Sequence, residues 1–132
     1  MRAPGPAVLL VFGVVVLAAA IVWWWRPEPT GGVMRIPELS AEARVGKRAF
    51  DLSCARCHGE NAGGSVAGPP LVHRTYRPAH HADVAFELAV RRGVRAHHWR
   101  FGDMPPDPTA TPVDIAQITR YVRELQRANG IE

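Results

Sequence analysis

The sequence predicts an all-α domain of about three to four helices set among long loops, preceded by one N-terminal transmembrane helix. Three observations predict it. Near the N-terminus stand nineteen consecutive residues without a charge, Ala7 to Trp25. Behind them, three segments repeat apolar residues at helical spacing, and no stretch alternates in the period-two manner of a half-buried strand. The connections between those segments are long and rich in glycine and proline, which is uncommon in a small domain unless the loops serve a function.

The uncharged run reads AVLLVFGVVVLAAAIVWWW. As a helix rising 1.5 Å per residue it spans about 28 Å, close to the ~30 Å hydrocarbon core of a bilayer. Trp23, Trp24 and Trp25 close it and Arg26 follows, the order that a membrane–water boundary selects. The competing reading is a cleaved signal peptide, with Arg2 as a thin positive region and Ala18-Ala19-Ala20 as the cleavage site. Cleavage there would leave a chain beginning Ile-Val-Trp-Trp-Trp, a poor start for a soluble protein, so residues 1–25 are assigned as an anchor. Under either reading the following domain is exported. Residues 26–38 carry Pro27, Pro29, Gly31, Gly32 and Pro37 without periodicity. They read as a tether that reaches ~40 Å when fully extended.

The exported domain occupies residues 39–132. Ser40 is the expected N-cap of a first helix, with Glu42 in the first turn, where the helix dipole favours an acid. Val45, Ala49, Phe50 and Leu52 make its apolar side, and Arg44, Lys47, Arg48 and Asp51 its polar side. The helix runs into Cys57, and Gly59 ends it. Asp83 is the expected cap of a second helix, with Val84, Phe86, Leu88 and Val90 inward and Gly93 at its end. Pro112 or Val113 opens a last helix that runs to about Asn129, with Gly130 past its end. Ile115, Ile118, Tyr121, Val122 and Leu125 form its apolar stripe. No internal repeat is present.

Two cysteines occur, three positions apart, so a long-range disulfide is out of reach and the C-x-x-C itself needs a role. Cys54-Ala55-Arg56-Cys57-His58 is the attachment signature of c-type haem. On one helical turn, two sulfurs three residues apart can meet the two vinyl groups of one porphyrin, and the next residue projects its imidazole toward the iron. A thioredoxin-like redox pair would want a βαβ setting, which this chain does not offer. A zinc site would need two further ligands, and no second C-x-x-C or finger-type histidine pair follows.

The wider sequence resembles the small monohaem c-type cytochromes (class I cytochrome c), here in membrane-anchored form. Gly46-Lys47-Arg48-Ala49-Phe50 followed by the C-A-R-C-H-G run is similar to the family's N-terminal helix and haem site. Gly68-Pro69-Pro70-Leu71 resembles its proximal loop, Phe101-Gly102-Asp103-Met104-Pro105-Pro106 its axial-methionine loop, and Ile118-Thr119-Arg120-Tyr121-Val122 its C-terminal helix. The resemblance covers residues 39–129 in the family's order. It implies a cytochrome c fold around one haem c per chain, with thioethers to Cys54 and Cys57 and His58 as proximal ligand. It further implies that the Pro69 carbonyl orients His58, that Met104 is the distal ligand, and that Gly46 and Phe50 pack on Ile118 and Tyr121.

The stretch between Gly93 and Met104 departs from the family's pattern. Val94-Arg95-Ala96-His97-His98-Trp99-Arg100 is richer in histidine and arginine than a plain haem loop needs, and His73, His80 and His81 add to it. Trp99 and Arg100 are candidates for contacts to the haem propionates. The His97/His98 region is a candidate for a second metal, copper first. Unspecialised polar surface is the remaining reading, and the same histidines compete with Met104 for the iron.

Fifteen of the sixteen basic residues are arginine and the formal charge is +4. There is no basic block or aromatic–basic interleaving, so no nucleic acid is expected as a partner. Arg74, Arg77, Arg91, Arg92, Arg95 and Arg100 against Asp83 and Glu87 make one locally positive segment, either a docking face for an acidic partner or solvated surface. No Ser/His/Asp set, paired catalytic carboxylates or phosphate loop argues for an enzyme. The function expected is single-electron transfer in a periplasmic-side respiratory or oxidative chain. The expected place is the bacterial inner membrane, single-pass, with redox proteins, themselves membrane-bound, as partners. The alternatives are a haem protein with a labile sixth ligand that senses or processes a gas or peroxide, and a redox partner in copper handling.

Overall fold

The structure is a computed structural model that describes residues 13–21 and 34–132. The chain divides into two units, Met1–Val33 and Met34–Glu132. In the first, residues 13–21 are helical and exposed. The rest of the expected anchor, residues 1–12 and 22–25, lies outside the described residues, as does most of the expected tether. Among the described residues, no helix is long and apolar enough to cross a membrane.

The second unit is helical throughout: α1 (Ala41–Ser53), α2 (Ala55–His58), α3 (Asp83–Arg92) and α4 (Pro112–Ala128), with 3-10 turns at Glu60–Ala62 and Arg74–Tyr76. Val94 and Met104 form an isolated antiparallel bridge, and no strand occurs among the described residues. The unit starts earlier than the sequence suggests. Arg35 donates its backbone N–H to Asn129 Oδ1 at 2.9 Å and accepts from Asn129 Nδ2 at 2.9 Å, so residues 34–38 belong to the compact unit instead of the tether.

Capping sets where α1 begins. Ser40 Oγ accepts from the Ala43 N–H at 3.1 Å, and Glu124 of α4 accepts from the Ser40 N–H at 3.0 Å and from its hydroxyl at 2.7 Å. One residue therefore caps α1 and ties it to α4. Burial alone would raise the Glu124 pKa, but the two Ser40 hydrogen bonds together with the Arg127 and Arg120 charges hold the carboxyl below its usual range. At the start of α4, Thr111 and Asp114 satisfy each other's backbone N–H groups in a capping box, ahead of Pro112 at the first position.

The core lies where α1 and α4 cross. Ala43, Phe50, Ala62, Ile118, Tyr121, Val122 and Leu125 are its buried members. The Phe50 and Tyr121 rings meet edge to face with centroids 5.5 Å apart, worth about 0.5–1.5 kcal/mol beyond the area they bury. Gly46 is the point of closest approach. A Cβ there would collide with the Gln117 carbonyl and come within 2.9 Å of the Ile118 nitrogen.

Three sequence assignments are corrected. Leu52 is 87% exposed, because a residue two past buried Phe50 lies on the opposite side of the helix. Val84 is 59% exposed, and α3 has no fully buried residue. The N-cap of α3 is Ala82; Asp83, one position on, gives its carboxylate to Arg123 of α4 instead.

The crossing makes a sharp test. Gly46→Ala must push two helix backbones apart, so it should destabilise the domain by about 1–3 kcal/mol or more. Ala49→Ser, one turn away and partly exposed, should cost far less. Denaturant unfolding followed by far-ultraviolet circular dichroism compares the two.

Candidate functional site

Helix α1 ends on the functional motif. Cys54 is at once the C-cap of α1 and the residue before α2, and its N–H still donates to the Phe50 carbonyl at 2.8 Å. The single turn of α2 then carries Cys57 and His58, and Gly59 ends it at φ 74°. His58 is buried; Cys54 and Cys57 are partly buried free thiols.

The loop that follows folds back beneath this turn. Ser65 Oγ donates to the Cys57 carbonyl at 2.6 Å and the Gly64 N–H to the His58 carbonyl at 2.6 Å. Gly68 is buried so close to Cys57 that a Cβ would stand 2.8 Å from its carbonyl oxygen. This brings the Pro69 carbonyl 2.9 Å from His58 Nδ1. That bond assigns the proton to Nδ1 and leaves Nε2 with its lone pair. Burial lowers the His58 pKa and the Pro69 hydrogen bond raises it, with a net fall, so the ring is neutral at physiological pH. As a free thiol, Cys54 is pushed up to about 11, by burial first and by the Asp107 charge, with Arg56 acting in the opposite sense.

Across from this turn, Val94 and Met104 exchange both backbone hydrogen bonds at 2.9 Å. Gly93 begins the loop at φ 74°, where a Cβ would lie 2.6 Å from the Met104 carbonyl. The Asp107 N–H donates to the Val90 carbonyl at 2.8 Å and ties the loop's far end to α3.

Between these walls lies a cleft of about 430 Å³. Cys54, His58, Pro69, Trp99 and Met104 all line it, with Phe50, Leu71, Phe86, Leu88, Phe101 and Ile118 as apolar wall. Of the other sequence candidates, Cys57 and Arg100 are not on its lining, and Arg100 is exposed. The Trp99 ring packs edge-on to His73 at 5.0 Å, and its Nε1 is buried without a hydrogen-bond partner. Burial pushes the neighbouring Tyr76 phenol up; the Trp99 N–H, near it but outside hydrogen-bond geometry, pulls weakly the other way.

Residues 43–126 match the family model for cytochrome c. The chain belongs to the cytochrome c family. It is also 31% identical over 103 residues to the cbb3-type cytochrome c oxidase subunit CcoP of Rubrivivax gelatinosus, a match that takes in 76% of this chain. The chain spans about a third of that relative's length (31%). No solved structure matches it significantly.

Cytochromes c bind haem c covalently, and the Cys54–His58 motif is the family's attachment sequence, so this chain's cofactor is one haem c. The residues fit the group. The cleft falls within the ~300–1,000 Å³ of cofactor sites, its wall is mostly apolar, and a neutral imidazole and a thiol converge on it. The buried Trp99 N–H, without a protein acceptor, leaves a donor that an acidic group of such a cofactor could satisfy.

The sequence reading missed the side chains that hold the cleft's rim. Arg123 is buried, and its guanidinium donates to the Tyr76 carbonyl at 2.7 Å, to Gln126 Oε1 at 2.6 Å, to Asp83 Oδ1 at 2.8 Å and to the His81 carbonyl. Its planar face lies 4.8 Å from the Phe86 ring. Gln126 donates in turn to the Leu71 and Tyr76 carbonyls at 2.8 and 3.1 Å. These two polar residues flank the apolar stripe of α4 at a spacing of three, a pattern that also describes a solvated helix edge.

The Asp83 side chain is 73% exposed while that of Arg123 is 6% exposed, so the network's value lies in the carbonyls and not in the ion pair. Arg123→Lys, which cannot reproduce the fork, should cost about 3 kcal/mol or more, whereas Asp83→Asn should stay within about 1 kcal/mol. Chemical denaturation of both variants checks this; equal losses would mean that the ion pair dominates.

Proposed function

We propose that the chain is a single-electron carrier in which His58 and Met104 are the axial ligands of the haem iron. The observation that carries this reading is that both side chains line one cleft and each is held from behind by the backbone. His58 donates Nδ1–H to the Pro69 carbonyl at 2.9 Å, and Met104 is pinned by its paired hydrogen bonds to Val94. The bound haem supplies one redox centre that alternates between ferric and ferrous iron. The protein's part is to keep that centre rigid. The Pro69 carbonyl fixes the tautomer and direction of His58, burial keeps its ring neutral, and the apolar wall excludes water. Trp99 Nε1 is the donor for a propionate. Arg100, exposed beside it, contributes positive charge at the cleft's edge.

The likeness to a cbb3-type oxidase subunit supports a place among membrane-bound respiratory redox proteins, and the positive segment around α3 suits an acidic partner. Residues 7–25 are the membrane anchor in this reading, with the haem domain on the periplasmic side of the bacterial inner membrane.

The ligand assignment is tested on Met104→Ala. The ferric parent should show the weak sulfur-to-iron charge-transfer band in the near infrared. The variant should lose the band and turn at least partly high-spin. Its reduction potential should fall, because a thioether favours ferrous iron more than water or a second imidazole does. A parent without the band has a histidine, or no protein group, in the sixth position; high-spin parent iron supports the reading with a labile ligand.

Topology is tested separately. The family's haem is attached outside the cytoplasm, which places Arg2 inside and Trp23 to Trp25 at the outer boundary. After alkaline carbonate washing, full-length haem-bearing chain should remain in the membrane pellet, and protease added to spheroplasts should remove the domain. A soluble chain beginning at Ile21 would show cleavage after Ala20.

A further inference from the structure

A second group of side chains stands at the rim of the cleft. His80, His81 and His98 each present a ring nitrogen within 4.8 Å of the other two. The rings of His80 and His81 are 4.6 Å apart, those of His80 and His98 5.3 Å, and those of His81 and His98 5.1 Å. The sequence offers five histidines, His73, His80, His81, His97 and His98, with the His97/His98 region first. The structure groups three of them, bringing His80 and His81 from a loop seventeen residues earlier to His98, and leaves His97 beside the group, its ring 4.3 Å from that of His98.

We propose that His80, His81 and His98 bind one divalent transition-metal ion at the mouth of the haem cleft, through neutral imidazole nitrogens. The proposal does not depend on Met104 as a ligand of the haem iron; it requires only that His98 is not one.

Both halves of the site are fixed by their own hydrogen bonds. The N–H groups of His80 and His81 donate to the Arg77 carbonyl at 3.0 and 2.8 Å, and the His81 carbonyl is held by Arg123. His81 Nδ1 lies 2.8 Å from the Thr75 carbonyl, so it carries the proton there and turns Nε2 outward as the donor atom. Metal-binding histidines characteristically have a carbonyl or carboxylate on the second ring nitrogen in this way. His98 is carried by the loop that the Val94–Met104 pair closes, further braced by the Ala96 N–H on Asp103 Oδ1 at 2.8 Å.

The chemistry of the donors selects the ion. An all-imidazole set suits zinc, copper and nickel over magnesium or calcium, and among these the affinity order favours Cu²⁺ over Zn²⁺. Metal–nitrogen bonds of about 2.0–2.1 Å in tetrahedral array put ligand atoms roughly 3.4 Å apart. The rings must therefore close by somewhat more than an ångström. His80 and His98 are exposed and free to rotate, while His81 is the anchored member. Three protein ligands leave a fourth position, which His97 or solvent can fill.

The test uses full-length, haem-loaded protein in detergent, cleared of adventitious metal with a chelator. Equilibrium dialysis against Zn²⁺, with zinc and iron both quantified, should give one zinc per haem. His80→Ala and His98→Ala should each weaken Zn²⁺ binding by more than the ~10–100-fold that losing an outer-shell partner costs. His73→Gln should leave binding within about twofold. Cu²⁺ bound at the same stoichiometry should show nitrogen hyperfine structure in its paramagnetic resonance spectrum, lost in His98→Ala. The haem absorption spectrum of every variant should match the parent, which separates loss of a ligand from loss of the fold. Two results overturn the proposal: Zn²⁺ bound equally well by the His80→Ala/His98→Ala double variant, or a His98→Ala haem spectrum that shows His98 ligating the iron instead.

Discussion

The contact on which the rest of the domain depends is backbone against backbone, where Gly46 of α1 lies on Gln117 and Ile118 of α4. With no side chain between the helices, Phe50 and Tyr121 can meet one turn further on, and both become fully buried. The next turn of α1 is then committed in direction. It ends at Cys54, and the single turn of α2 delivers Cys57 and His58. An ångström lost at Gly46 would be carried down a rigid helix to the haem-attachment motif, since packed helices shift as units and not as continuous media. The crossing also carries the domain's cluster of buried apolar side chains.

The cleft side is organised differently. Helix α3 has no fully buried residue, and its loops have little apolar packing to fix them. Polar groups do that work. Arg123 reaches from α4 to the carbonyls of Tyr76 and His81, and Gln126 to those of Leu71 and Tyr76. The Tyr76 carbonyl thus accepts two of these bonds, which is the capacity of its two lone pairs. A buried guanidinium is costly unless its donors are satisfied, and here Gln126 on the same helix and three acceptors from three other segments satisfy it. The 3-10 turn at Arg74–Tyr76, the His80–His81 turn and the start of α3 are therefore positioned by one side chain.

The readable part of this molecule was whatever repeats or has fixed spacing. Ser40, Pro112, Gly93 and the apolar stripe of α4 gave helix limits because caps and periodicity are local signals. Cys54-Ala55-Arg56-Cys57-His58 named the cofactor because two thioethers and one imidazole impose a spacing on any helix that carries them. Leu52 misled because its neighbours in sequence are apolar, although its direction is opposite to that of Phe50. Asp83 misled because an acid before a helix suits a cap, and only the fold reveals Arg123 in reach. Arg123 and Gln126 were illegible for the same reason: their partners are carbonyls 42 to 55 residues away, and a backbone carbonyl has no sequence signature. The meeting of His80 and His81 with His98 is equally a product of loop closure.

These two modes of construction have a thermodynamic consequence. Leu88 and Phe101 line the cleft while each stays 41% exposed, so the protein alone leaves apolar surface that its own core does not cover. At roughly 25 cal/mol per Å², covering such surface with an apolar macrocycle is favourable, and the gain belongs only to the folded state. The Trp99 indole points the same way, since its buried N–H lacks a protein acceptor and costs stability until one arrives. Hydrogen bonds from Arg123, Gln126 and the Val94–Met104 pair hold the walls apart in the right shape, and the cofactor supplies the packing between them. A domain of this size can thus spend its few core residues on the helix crossing, because haem is the second half of its core.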